Sequence, residues 1–241
     1  MLHVGKKHFS ASGVFWNSKA LQTPHAVPNK ASRIQCMFDR IAARYDLLNH
    51  FMSLGRDQRW RRRAAALAQL QPGEHILDVC CGTGDFIGAA IREQPLLRKV
   101  TGIDFAPCML DMARKKQPKL TSTSNVEVQW RYGDAESLPC EPASYDAVFC
   151  GFGLRNLQHP VRGIQEIARV LRSGGRIVIL EFVWPENAVG RWTSGIYLRC
   201  IAPLLGRCLS SGNGDAYAYL PASVATFNHP ELIEQWMRQE G

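Results

Sequence analysis

The sequence predicts an α/β fold, a parallel sheet with helices on both faces, entered through an N-terminal helical segment. Three observations carry that expectation. Strand-like and helix-like stretches alternate from about residue 75 to residue 182. The strands are near-continuous apolar runs rather than alternating ones, as in sheets covered on both sides. The first of them, HILDVC (75–80), breaks into Gly82-Thr83-Gly84-Asp85 and then a helix.

Each element follows from its local pattern. Met37, Phe38, Ile41, Ala42, Tyr45 and Leu48 fall on one helix face. A second helix is expected over 57–70, stopped by Gln71-Pro72-Gly73. After the glycine turn comes a helix over 86–93, then the strand KVTGID (99–104). A helix over 107–116 follows, with Pro107 in its first turn, where a missing N–H costs nothing. VEVQWR (126–131) and YDAVFCGF (145–152) are strands three and four. A helix over 160–171 ends at Ser173-Gly174-Gly175, and RIVILEF (176–182) is strand five.

Composition narrows the classes. The chain has 241 residues, 46% apolar and 21% charged, and no uncharged apolar run long enough to span a bilayer. The charge is uneven. Residues 1–63 hold 12 Lys and Arg against 3 Asp and Glu, whereas residues 64–241 are nearly balanced. Arg56, Arg59, Arg61, Arg62 and Arg63 crowd one short stretch, which reads as a solvated helix face or a surface for polyanions. The eight cysteines form no C-x-x-C pair, so no metal site is expected and a reducing compartment fits. Residues 1–32 carry four lysines, no acid and no apolar signal core. They are expected to form a disordered basic extension, with organelle targeting left open.

The glycine turn sets the ligand class. In parallel sheets ligands bind beyond the carboxyl ends of the strands, where the strand order reverses. Gly82 and Gly84 clear that space, and Asp104 closes strand two 20 residues beyond Gly84, where an acid binds ribose hydroxyls. A dinucleotide fold would want a third glycine where Ile87 stands, and Asp85 would repel a phosphate. A phosphate-free cationic nucleoside fits better. S-adenosylmethionine is such a ligand, and Asp78 and Asp85 would complement its charge. Cys80 and Cys81 read as small residues that let the turn approach the ligand, with no neighbouring base to activate a thiol.

Longer stretches resemble the quinone-biosynthesis C-methyltransferases of the UbiE/MenG type. They are MFDRIAARYDLLNHFMSLGRDQRW (37–60), LDVCCGTGDF (77–86), GIDFAPCMLDMARKK (102–116), GDAESLP (133–139), GFGLRNLQHP (151–160), RVLRSGGRIVILEF (169–182) and YAYLPASVATF (217–227). The resemblance implies a Rossmann-like, S-adenosylmethionine-dependent methyltransferase sheet with an N-terminal helical lid, over residues 33–241. Within it, 33–72 would be the lid, 73–182 the cofactor-binding core and 183–241 a substrate cap. It places cofactor contacts at Thr83, Asp104, Asp134 and Ala135, with Asp104 on the ribose diol and Asp134 and Ala135 beside the adenine. The family often has a hydroxyl residue where this chain has Gly151. Its pattern also continues beyond Gly241 with two further strands, so the last two strands are expected to be missing and RIVILEF to be left as an apolar edge.

The implied reaction moves a methyl group to a ring carbon of a polyprenylated quinol. Demethylmenaquinol is favoured, and a 2-methoxy-6-polyprenyl-benzoquinol is the alternative acceptor. Arg155 would stabilise the phenolate and Asn156 would orient the ring oxygen. Tyr45 would contact the acceptor from the lid, and His159 is a candidate base. The segment 183–209 would cap the pocket and touch the membrane surface from the cytoplasmic side. A homodimer is left open. Gly-Phe-Gly-Leu after strand four, in place of Asn-Pro-Pro-Tyr, argues against methylation of nucleic acid. A rival of another class is an inactive methyltransferase-fold scaffold within a quinone-synthesis complex.

Overall fold

The computed structural model describes residues 16–122, 124–183, 215–227 and 230–241. Five strands form one parallel sheet: β1 (His75–Val79), β2 (Lys99–Asp104), β3 (Glu127–Tyr132), β4 (Tyr145–Gly151) and β5 (Leu171–Leu180). Their order in the sheet is β3-β2-β1-β4-β5. The chain steps outward from β1 to β3, then returns to the other side of β1. The crevice beyond β1 and β4 is therefore the reversal point where such sheets bind ligands.

The apolar strands explain the layers. Ile76, Leu77 and Val79 of β1 are fully buried because β1 sits mid-sheet and both faces are covered. Ile76 packs with Ala64, Ala68, Ile87 and Ile91, which belong to or adjoin α4 (Arg56–Leu67) and α5 (Asp85–Glu93). Leu77 and Val79 meet Ile164, Ile167 and Val170 of α7 (Pro160–Val170) on the opposite face. Ile233 of α9 (Pro230–Gln239) joins that second cluster.

Over the carboxyl ends of the strands lies the helical lid. It comprises α1 (Ser18–Gln22), α2 (Lys30–Ile41), a 3-10 turn (Ala42–Arg44) and α3 (Tyr45–Met52). The sequence suggests one continuous helix face from Met37 to Leu48; the turn at 42–44 bends it instead, which lets α3 dip toward the glycine turn. Helix α6 (Pro107–Leu120) runs past the expected end at Lys116 and carries Pro118 within it.

Two further expectations change. Strand β5 begins at Leu171, directly after α7, and a register shift opposite Tyr145 and Ala147 absorbs Ser173-Gly174-Gly175 as a bulge. Gly174 takes φ +74°, a conformation open to glycine without strain. Within the expected disordered extension over 1–32, the described residues 16–32 form α1 and the start of α2. Trp16 is buried against Tyr219 of α8 (Asp215–Thr226), ring centroids 4.4 Å apart, because a large apolar ring so placed removes more surface from water than its ordering costs. Most of the expected cap, 184–209, lies outside the described residues.

Candidate active site

The floor of the site is backbone. Cys80 leaves β1 with φ +58°, and Gly82 and Gly84 follow at +53° and +84°. A side chain on Gly84 would strike Trp130, whose ring lies 2.5 Å from the position of an added Cβ. Gly82 instead faces open space, with the edge of Tyr45 at 3.9 Å. Its N–H donates to Asp104 Oδ2 at 2.8 Å, and the N–H of Ala106 donates to Oδ1 at 2.8 Å. Burial raises the Asp104 carboxyl to about 6, against the pull of those two N–H groups. The carboxylate is thus aimed before any ligand arrives.

The cavity is an open hollow of about 660 Å³, the solvent space at its mouth included. Beyond β3 its wall is Gly133 to Glu136, where Asp134 Oδ1 accepts the N–H of Glu136 at 2.9 Å and fixes the turn. Glu136 Oε1 in turn accepts the N–H groups of Gln158 (2.6 Å) and His159 (2.9 Å), just before the start of α7. Phe105 and Met109 add an apolar side.

Beside the glycine turn stands the loop between β4 and α7, its Gly153 packed against Cys80. Phe152 enters it with φ +59°, costly for an aromatic residue and held by its surroundings. The Phe152 carbonyl accepts from Arg155 Nη1 at 2.9 Å and from Asn156 Nδ2 at 3.0 Å. Asn156 Oδ1 accepts the Tyr219 hydroxyl at 3.0 Å. Arg155 is buried in an ion pair with Glu181, Nη1 to Oε1 2.8 Å, with its guanidinium 5.8 Å above the Phe182 ring.

The roof is α2 and α3. Phe38 meets Tyr45 edge-on at 5.8 Å, and burial raises the Tyr45 phenol above its ordinary value, so it stays protonated. Asp46 fastens α3 to the floor: it accepts Thr83 Oγ1 at 2.5 Å and Lys116 Nζ at 2.6 Å. Lys116 also pairs with Asp85.

Of the residues singled out by sequence, Tyr45, Gly82, Asp104, Asp134, Ala135 and Asn156 line one cavity. Asp78, Thr83, Gly84 and Arg155 do not. Thr83 is spent on Asp46, Gly84 on the fit to Trp130, and Arg155 on Glu181. Asp78 is buried on the α4 side of the sheet with neither oxygen hydrogen-bonded, and burial drives its carboxyl well above the usual range. It therefore brings no settled negative charge, and Asp85 shares the Lys116 ammonium with Asp46. His159 is exposed and outside the lining. Cys80 lines the cavity, and its hydrogen bond to Cys150 together with burial pushes its thiol well up, away from a nucleophilic thiolate. At Gly151 an added Cβ would lie 2.7 Å from the Phe86 ring, which fills the space a hydroxyl side chain would need.

Sequence reasoning missed Phe152, Glu136, Tyr219 and Lys30. Phe152 sits inside the quoted GFGLRNLQHP stretch, where nothing local signals its positive φ. Glu136 and Tyr219 lie inside the GDAESLP and YAYLPASVATF stretches but act on partners 22 and 63 residues away, and Lys30, in none of the quoted stretches, acts across 125 residues and more.

A reversal-point cavity with a pre-aimed acid at the end of β2 and, among the described residues, no Lys or Arg in its lining has the make-up of a Rossmann-like methyltransferase site. Solved structures agree on the fold: a Haloferax volcanii methyltransferase in complex with the Trm112 activator has a TM-score of 0.57 at 21% identity, covering 85% of this chain and 75% of that one. A Thermotoga maritima SAM-dependent methyltransferase has a TM-score of 0.55 at 20% identity, covering 85% and 79%. The chain belongs to the ubiE/COQ5 methyltransferase family, whose model matches residues 27–241. It is 43% identical over 213 residues to a demethylmenaquinone methyltransferase of Deinococcus radiodurans, covering 88% of this chain and 86% of that one. A Thermus thermophilus demethylmenaquinone methyltransferase is 42% identical, covering 85% and 90%. A Geobacter ubiquinone/menaquinone biosynthesis C-methyltransferase is 36% identical, covering 90% and 91%.

Proposed function

We propose that this chain transfers a methyl group from S-adenosylmethionine to a ring carbon of a polyprenylated quinol, demethylmenaquinol before the benzoquinol of ubiquinone synthesis. The observation that carries the reading is the Asp104 carboxylate, held by Gly82 and Ala106 at the one point where the floor, the Asp134–Ala135 wall and the Asn156 loop converge.

The residues present suit that donor. Asp104 accepts from a sugar diol, Asp134 and Ala135 flank a base, and the glycine turn leaves room above them. When bound, the donor supplies an electrophilic methyl on a sulfonium. The protein's own part is alignment and exclusion of water. Phe38, Tyr45, Phe105 and Met109 give an aromatic acceptor an apolar berth. Asn156 lines the same cavity; Tyr219 and the Phe152 carbonyl hold its Oδ1 and one Nδ2 hydrogen, and the second Nδ2 hydrogen is the group that would orient a ring oxygen. Arg155 serves here chiefly by fixing the loop through the Phe152 carbonyl, since Glu181 answers its charge.

An isoprenoid tail lies in a bilayer, so the same reading implies peripheral contact at the inner face of the membrane. Leu47, Phe51 and Leu54 are 61%, 50% and 79% exposed on and just beyond α3, and Arg56, Arg59, Arg62 and Arg63 are exposed on the helix that follows. Apolar side chains beside cations suit an anionic lipid surface. Co-sedimentation with phosphatidylglycerol vesicles, lost on Leu47→Ser with Phe51→Ser, tests it.

The main test is incubation with labelled donor and each demethylated quinol. Methylated naphthoquinol is the expected product. Donor binding by calorimetry without turnover on either quinol would leave the scaffold reading standing instead.

A further inference from the structure

Lys30 is 1% exposed, yet none of the ion pairs formed among the described residues is its own. A buried ammonium is expensive unless the surroundings answer its charge. Here they do so with carbonyls. Nζ donates to Arg155 O at 2.8 Å and Leu157 O at 2.5 Å, the two residues that flank Asn156. It lies 3.3 Å from His25 Nδ1, and the Lys30 N–H donates to Gln158 Oε1 at 3.1 Å. His25 Nε2 is bound to Ser223 O of α8 at 2.9 Å. The short 3-10 turn Leu154–Asn156 ends at this point, and a cation at its carbonyl end is favourably placed.

We propose that Lys30 is a positioning residue for methyl transfer: its ammonium clamps the carbonyls on either side of Asn156 and so holds that amide at the cavity wall. The role rests on the reading of Asn156 as an acceptor-orienting group. Burial, foremost, and Arg155 bring the Lys30 amine down to about 8, while Glu136 and Glu181 pull upward. His25, itself lowered by burial, is the remaining titratable group against it. As pH rises through about 8 the ammonium becomes an amine and its grip on the two carbonyls weakens.

The test compares wild type with Lys30→Met, Lys30→Gln and Lys30→Arg. Lys30→Met should lower kcat about 10- to 100-fold, about the worth of one charge-assisted hydrogen bond, while donor Kd stays within twofold. Wild-type kcat should fall on the alkaline side near pH 8. Lys30→Arg should recover most of kcat and lose that alkaline fall. Lys30→Met turnover within twofold of wild type, donor affinity lost in parallel with kcat, or an unmoved alkaline fall in Lys30→Arg would each overturn the role. Hydrogen exchange of amides 154–157 without any quinol separates this from the substrate reading. If Lys30→Met speeds that exchange at least tenfold while wild type methylates no quinol, the substrate reading fails and the clamp stands. If exchange is unchanged, the clamp fails whatever the substrate.

Discussion

The turn after β1 and the loop after β4 leave neighbouring strands and lie side by side at the cavity, with Gly153 packed against Cys80, and they are held by different means. The first is shaped by backbone: two glycines at positive φ, a strained Cys80 and N–H groups that aim Asp104. The second is held by side chains from remote segments, namely Lys30 and Glu136 on its carbonyl and N–H groups, Tyr219 on Asn156 and Glu181 on Arg155. A backbone-shaped site suits a ligand shared by a whole superfamily. A site propped by distant side chains can change with the acceptor while the floor stays fixed.

The contrast can be broken at several points. The largest effect should come from Glu181→Ala, which leaves the Arg155 guanidinium buried and unpaired. Folding stability should drop by about 3–5 kcal/mol in urea titrations, with the loop after β4 failing first. Asp104→Ala strikes the other side: donor affinity should weaken roughly 100-fold by calorimetry, equal to about 3 kcal/mol of charge-assisted bonding, with little change in the loop after β4.

Acid should mimic that loss. The Asp104 carboxyl sits at about 6 in the folded chain against 3.8 ordinarily, so the native state keeps a proton there that the unfolded chain has released. Its contribution to stability is therefore largest at low pH and declines as pH climbs through 6. Donor binding runs the opposite way, needing the carboxylate, so Kd should rise about tenfold per unit below pH 6. Gly151→Ser should cost about 1–3 kcal/mol through overlap with Phe86, and Phe86→Leu in the same chain should restore most of it. The smallest effect belongs to Tyr219→Phe. Losing one hydrogen bond to Asn156 should cost about 1 kcal/mol, read as a kcat several-fold lower with donor affinity unchanged.

The same division governs what the sequence discloses. The sheet, its helices and the glycine turn are written in local periodicity and in residues whose conformations few others adopt, so strands β1 to β4 and Asp104 are readable directly. The bulge that starts β5 is not, because Ser173-Gly174-Gly175 looks like a helix stop and only pairing with β4 shows otherwise. Arg155 illustrates the limit at the site. Its place in FGLRN points at the cavity edge, but the partner that claims its charge stands 26 residues on. Lys30 has no signature at all, since a lysine at a helix start reads as solvated.

Asp46 ties α3 to both Thr83 and Lys116, so the ring of Tyr45 cannot swing clear of Gly82 without parting those bonds. Whatever is seated beneath it leaves on the latch's timetable rather than its own.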